Sequence, residues 1–275
     1  MTRLIILCAD DTVWALPCWI RTIPKLKDSG FTIAGLATTS YSPSIGRSDT
    51  PAYLWYISRF GLWNFLKMVG FALVSRMASI LHGNPQSFKK LASFHSIPFH
   101  AFGSVKDLDM LSYFQNESPD VVAIMVPEII PVALIEASRF GMINQHPSLL
   151  PRNKGLFPYI YAFTKQEQQG VTLHSIDQRI DEGEILYQYK LDSHQASSMV
   201  QAHYEIMHAF PEALICALDG LVNPSARNVF TASSKEPTYN RAPNEKVMKS
   251  FFDSGGRIIG LEDLIRAWRN GSGSE

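Results

Sequence analysis

Leu4-Ile-Ile-Leu-Cys-Ala9 and Ile33-Ala-Gly-Leu-Ala37 flank the run Trp14-Ala-Leu-Pro-Cys-Trp-Ile-Arg-Thr-Ile-Pro-Lys-Leu-Lys-Asp-Ser29, and the order of these three segments decides the fold. The outer two are short, apolar and β-rich. The middle one has helical spacing and stops at Gly30, a residue suited to a helix C-terminus. Together they read as a βαβ opening. Further along, Ile97 to Phe102 and Val121 to Val126 are strand candidates, and a helical stretch from Val132 to Phe140 leads into a short run at Met142 to Asn144. Alternating strands and helices of this kind imply an α/β fold with a doubly wound, mostly parallel, Rossmann-like sheet. Ligands bind such sheets beyond the carboxyl ends of the strands. Asp10, Val126 to Ile130 and Asn144 belong to that rim.

No G-x-G-x-x-G fingerprint follows the first strand. The turn reads Ala9-Asp-Asp-Thr-Val-Trp14, with acids where a pyrophosphate needs bare backbone amides, so an ordinary NAD-binding domain is disfavoured. After Gly170 the pattern becomes two strands, around VTLHSI and EILYQYKL, joined by a turn at Asp181 to Gly183. His194 to Leu221 reads as a long helix despite Pro211. We expect a main domain over residues 1–221 with a helical insertion at about 51–84, and a C-terminal appendage over residues 222–275 with helical segments at Asn244 to Ser254 and Leu261 to Arg269.

The insertion, Pro51 to Asn84, is dense in aromatic and aliphatic residues and has only Arg59, Lys67 and Arg76 as charges. It reads as helix, interrupted near Gly61 and Gly70. At ~100° per residue its bases point in well-separated directions, which does not make one cationic face. Its uninterrupted run Met68 to Val74 is far short of the ~20 residues that cross a bilayer. The expectation is a helical cover for the core or a subunit contact, with peripheral membrane attachment or a substrate lid as the alternative. Twenty-five basic and twenty-five acidic residues give a formal net charge of +0, so there is no whole-protein field for nucleic acid. Three scattered cysteines without C-x-x-C spacing suggest reduced thiols in a cytoplasmic protein. The first residues read as a buried strand, not a signal.

The segment densest in chemistry is Gly141-Met-Ile-Asn144-Gln-His146-Pro-Ser-Leu-Leu-Pro151. In extended backbone, residues two apart point the same way, so Asn144 and His146 converge on one small volume at the sheet rim. Taken alone, a capping Asn beside a structural His explains the pair as well. A second segment, Gly170-Val-Thr-Leu-His174-Ser-Ile-Asp177-Gln-Arg-Ile180-Asp181-Glu-Gly183-Glu-Ile-Leu186, places carboxylates in a tight turn between apolar strands, where nothing structural asks for them.

The two segments resemble the paired signatures of the folate-dependent formyltransferases, N-x-H-P-S-L-L-P and then G-V-T-x-H with D-x-G-x-I-L, tightly over residues 141–186 and loosely over the first 220. The family includes glycinamide ribonucleotide formyltransferase, methionyl-tRNA formyltransferase and N-formyltransferases of nucleotide-linked amino sugars. The resemblance implies catalytic roles for Asn144, His146 and Asp181, with His174 as a support or a packed strand residue. It implies N10-formyltetrahydrofolate as cofactor and no metal. Asn144 and a protonated His146, held cationic by Asp181, would donate to an oxyanion, and Asp181 would accept the proton that the amine loses. The pterin is expected against Val126, Glu128, Ile129 and Ile130 and the loop carrying Asp177 and Ile180, although the family usually has an aromatic or Gly residues where Val126 and Pro127 stand.

The short tail and zero net charge disfavour tRNA, and the acidic first turn disfavours a ribonucleotide phosphate. The chain then most resembles the nucleotide-sugar N-formyltransferases of surface-polysaccharide pathways. The implied partner is the amine of a dTDP- or UDP-linked amino-deoxyhexose, cradled by Asp10, Asp11, Lys154, Phe157 and Tyr159. Phe157 and Tyr159 could equally be core residues of a following helix. A siderophore ornithine, hydrolysis of the formyl cofactor and a non-catalytic folate-binding scaffold remain as alternatives. A homodimer is expected from the aromatics of the insertion.

Overall fold

The computed structural model describes residues 2–40, 51–191, 196–223 and 236–273. Its main sheet has seven strands in the order β3-β2-β1-β4-β5-β7-β8, formed by β1 (Arg3–Ala9), β2 (Thr32–Thr39), β3 (Phe99–Phe102), β4 (Val121–Met125), β5 (Met142–His146), β7 (Gly170–Ser175) and β8 (Ile185–Lys190). The first five strands in that order run parallel, β7 runs antiparallel to them, and β8 turns back antiparallel to β7. A two-strand ribbon pairs β6 (Lys154–Gly155) with β9 (Tyr239–Asn240).

Strand β1 shows why the apolar runs specify this arrangement. Leu4, Ile6 and Cys8 enter one core, whereas Ile5 and Leu7 enter the other. All five are fully buried, as expected for a parallel strand covered on both faces. The larger core lies under α1 (Ala15–Asp28) and α8 (Met199–Val222), with Trp19 meeting Phe210 edge-on. The smaller one lies under α5 (Leu108–Glu117) and α6 (Val132–Ile135) through Met110, Phe114 and Leu134. The helix expected through Phe140 ends at Ile135, because Phe140 returns its N–H to Asp120 at 2.7 Å to enter β5.

The insertion forms α2 (Ala52–Phe60) and α3 (Leu62–Leu81), followed by α4 (Phe88–Phe94). Gly61, at φ 83°, makes the break between α2 and α3. Gly70 makes none, as α3 runs through it. Phe60 and Phe71 are buried in the main core, so these helices do cover it. The C-terminal segment supplies α9 (Glu245–Asp253), packed on α7 (Pro158–Thr164), and α10 (Asp263–Ser272), packed on α3. Phe251, Ile258, Ile259 and Ala267 from this segment enter the main core. The start of the helix expected from His194 lies outside the described residues, and α8 begins at Met199, capped by the Ser198 hydroxyl.

Candidate active site

Asn144 and His146 both lie within β5, His146 as its last residue. The antiparallel register sets His174 opposite Asn144 and Thr172 opposite His146. That pairing brings the Asn144 Nδ2 to 3.4 Å from His174 Nε2. His174 Nδ1 lies 2.8 Å from the Ser175 carbonyl, so its proton belongs on Nδ1 and Nε2 accepts from the Asn144 amide. Thr172 fixes the chain just past β5. Its hydroxyl donates to the Ser148 carbonyl at 2.7 Å and accepts from the Leu150 N–H at 3.0 Å.

Asp181 completes the cluster from the turn between β7 and β8. It sits in left-handed backbone at φ 53°, and its Oδ2 accepts the Gly155 N–H at 2.8 Å. Gly183 lets this turn close, since a Cβ there would overlap the Ser175 carbonyl. The carboxylate stands between two imidazoles, 3.5 Å from His146 Nδ1 and 3.7 Å from His174 Nε2. His146 donates its Nε2 hydrogen to the Asn153 carbonyl at 2.9 Å, which leaves the Nδ1 lone pair toward Asp181 in the neutral ring.

Burial pushes His146 below the ordinary imidazole range, and the opposing pull of Asp181 and the Asn153 bond is weaker. Burial likewise lowers His174, helped by His146 and opposed by its Ser175 bond and Asp181. The resting imidazoles are therefore neutral at neutral pH. This corrects the expectation that Asp181 holds His146 cationic: at 3.5 Å its attraction does not offset desolvation of the ring.

A cavity of about 860 Å³ opens at the carboxyl ends of β1, β4 and β5, the position expected of a doubly wound sheet. Of the expected trio only Asn144 lines it. His146 is 4% exposed and is sealed behind Asn153, so its contact there has to yield before the ring reaches a reacting oxygen.

The other expected residues divide clearly. Val126, Asp11, Phe157 and Tyr159 line the cavity. Asp11 also serves the start of α1, accepting the Val13 and Trp14 N–H groups at 2.8 and 3.2 Å, while burial raises its pKa. Tyr159 is anchored through its hydroxyl to the Ala196 carbonyl, and Phe157 stacks on Trp55 at 5.4 Å. Ile129 and Ile180 are exposed apolar side chains on the two loops beyond β4 and β7. The remaining expected residues do not line the cavity and make other contacts. Lys154 is buried and bound to Glu182 at 2.9 Å, so it does not face the cavity. Ile130 packs into the smaller core. Glu128 accepts the Ser104 hydroxyl at 2.6 Å, and Asp177 accepts the Arg179 N–H at 2.7 Å, each tied into a loop contact of its own. Asp10 is exposed and is not part of the cavity wall.

Sequence reasoning missed other lining residues. Among the described residues, Gln145 and Gln169 line the cavity with buried Nε2 atoms that have no hydrogen-bond partner. Trp14, Tyr56, His203 and Lys190 complete much of the wall. Gln145 stands between Asn144 and His146, where strand alternation turns attention away from it, and no local pattern marks His203 on α8.

A formyl transferase family model matches residues 84–218. Methionyl-tRNA formyltransferase of Alkaliphilus oremlandii is 25% identical over 185 residues, which cover 66% of this chain and 59% of that protein. The same enzyme of Ectopseudomonas mendocina is 26% identical over 186 residues, covering 67% and 58%. The chain thus spans less than two thirds of the length of these curated relatives. Among solved structures, a sugar N-formyltransferase from a Shewanella species superposes with a TM-score of 0.53 at 17% identity, over 97% of this chain and 88% of that one. Phosphoribosylglycinamide formyltransferase of Bacillus halodurans gives 0.55 at 15% identity, over 81% and 96%. At these identities the structural likeness establishes the fold.

Proposed function

We propose that this chain, whose residues 84–218 match a formyl transferase family model, transfers a formyl group from N10-formyltetrahydrofolate to the primary amine of a nucleotide-linked amino sugar. The observation that carries the reading is the meeting of Asn144, which lines the cavity, with the buried His146, His174 and Asp181, although β5 and the Asp181 turn are far apart in sequence. The residues present fit the cofactor. Exposed apolar Ile129 and Ile180 stand on two loops at the strand ends, and the unpaired Gln145 amide offers a buried donor beside Asn144. When bound, the cofactor supplies an activated formyl carbonyl.

Asn144 is the donor presented to the cavity. One Nδ2 hydrogen is directed by His174, and the other is free to meet an oxygen that gains negative charge, an effect worth ~3 to 4 kcal/mol for a well-placed donor. As the amine nitrogen bonds to the formyl carbon it must shed a proton, and a proton must reach the nitrogen whose bond to that carbon breaks. In this reading Asp181, which lies off the cavity wall, takes the amine's proton through one water. The neutral His146 Nδ1 beside that carboxylate is a second place for the same proton. A ring so protonated donates to the oxyanion only after its contact with Asn153 opens.

The amino-sugar acceptor is supported by the 97% coverage of this chain in the comparison with the Shewanella sugar N-formyltransferase, against 81% with the purine enzyme. Trp14, Tyr56 and Phe157 offer aromatic surface for a base, and Lys190 replaces Lys154 as the cation for a phosphate. Purified protein with N10-formyltetrahydrofolate should release tetrahydrofolate and formylated product only when a dTDP- or UDP-linked amino sugar is added. Turnover with ornithine alone would overturn the acceptor, turnover without amine would mark a hydrolase, and no turnover at all would mark a scaffold.

A further inference from the structure

Helix α3 is built inside out. Leu62, Leu66, Val69, Leu73, Met77 and Ile80 fall within an arc of about 80° at ~100° per residue, and each is between 41 and 63% exposed. Its inward face carries Phe71, Ser75, Ala78 and Ser79. The stripe is extended at its start by Tyr53 and Trp63, the latter 71% exposed. Beyond its end lies Trp268, edge-on to His82 at 5.7 Å. A continuous apolar surface of this extent on a folded protein marks a contact.

The charges around it identify the occupant. Residues 51–84 contain no Asp or Glu. Lys67 lies roughly 120° to one side of the stripe's centre and Arg76 roughly 60° to the other. Arg76 thus borders the outward apolar stripe, whereas Lys67 lies farther round, beyond Trp63 and next to the inward face, and its long stem has to reach back past Trp63 to that border. Long basic side chains on both margins, with Trp and Tyr beside them, are the composition by which a helix lies in the plane of an anionic lipid surface.

We infer that α2 and α3 dock this protein in-plane on an anionic bilayer, through the Leu62 to Ile80 stripe with Lys67 and Arg76 toward lipid phosphates. Helix α3 is long and apolar enough to cross a membrane by length and composition, but its inward face is fixed. Phe71 stacks on Trp14 at 4.7 Å, Asn270 Nδ2 donates to Ser75 Oγ at 3.1 Å, and Gly271 lies so close that a Cβ would overlap the Ser75 carbonyl. A second copy fits less well. A two-fold contact through α3 gathers Lys67 and Arg76 of both copies around one seam with no carboxylate from either insertion. Because Tyr56 and Met68 line the cavity, docking sets that chamber about one helix diameter, ~10 Å, from the headgroups. The inference is independent of the reaction proposed above.

The test is co-sedimentation of the full chain with vesicles of phosphatidylcholine alone or with phosphatidylglycerol added. Pelleting with the anionic vesicles is expected. The partition coefficient should fall at least ~10-fold in Leu66→Asp/Leu73→Asp and in Lys67→Glu/Arg76→Glu, with circular dichroism and turnover in buffer unchanged. No pelleting of the wild type, or pelleting that both double variants retain, overturns the inference. So does a dimer in light scattering that Leu73→Asp splits, since that assigns the face to a second copy.

Discussion

Replacing Asn144 with Ala removes one donor from the cavity wall and little else. The side chain is partly buried, its strand keeps both neighbours, and the backbone register of β5 with β4 and β7 does not depend on it. What disappears is the Nδ2 group whose one hydrogen meets His174 at 3.4 Å and whose other faces the cavity. A preorganised donor of this kind contributes ~3 to 4 kcal/mol to a developing oxyanion, which corresponds to a loss of ~100- to 1,000-fold in kcat. Since the interaction strengthens only as charge develops, KM for the amine should move little. Asn144→Asp keeps the shape but turns the donor into an acceptor beside His174 and within one imidazole of Asp181, and should lose at least as much. Steady-state formation of formylated product, with circular dichroism as the control for folding, measures both. A kcat for Asn144→Ala within ~10-fold of wild type would refute the assignment of Asn144 as the oxyanion donor.

Asp181→Asn should lower kcat by at least ~100-fold while thermal stability changes little, because an amide can still accept the Gly155 N–H but cannot hold the amine's proton; near wild-type turnover would remove Asp181 from the chemistry. Stability should fall on acidification, because burial lowers His203 from 6.5 to about 4. The folded chain then refuses a proton that the unfolded chain accepts, so stability is complete above 6.5 and drains down to about 4, by at most about 3 kcal/mol. His146 and His174 act in the same direction. Urea unfolding across this range should show His203→Gln less acid-sensitive than wild type, and parallel curves would argue against the assignment. Phe71→Ala should cost ~3 to 5 kcal/mol of unfolding free energy and raise KM for the acceptor, as Trp14 loses the ring stacked on it. An unchanged KM would detach the insertion from the cavity.

The strands of the central sheet were legible because double-sided burial leaves near-continuous apolar runs such as Leu4 to Ala9 and Val121 to Ile124. Asn144 and His146 were legible as a pair because alternation in a strand is local. The relation of His174 to Asn144 was not, since it depends on the antiparallel register of β5 with β7. Side-chain commitments were hidden for a similar reason. Lys154 reads as a free cation until Glu182 meets it, and Ile130 reads as a ring contact until the smaller core closes over it. The neutrality of His146 is a further case. An adjacent Asp suggests a cation by composition, whereas burial and a separation of 3.5 Å decide the sign. The outward stripe of α3 was obscured because periodicity gives a helix two faces and only packing says which one is outside.

Burial of two neutral rings around one carboxylate has a consequence for the acceptor. An amine arrives from water as an ammonium, and neither His146 nor His174 repels it while uncharged. If burial were relaxed and either ring took a proton in the resting state, the positive charge would both oppose the incoming ammonium and occupy the place meant for the proton it sheds. The buried position of His146 behind Asn153 and the cavity-lining position of Asn144 therefore belong to one design: the donor of a hydrogen bond lines the cavity, and the acceptors of a proton are buried behind it. Opening the seal by replacing Asn153, which also binds Glu167 and Asn240 through its side chain, would admit water to His146 and push its pKa upward toward the ordinary range. The acid limb of the rate profile should then move to higher pH, and a limb that stays in place in the Asn153 variant would show that burial of His146 does not set it.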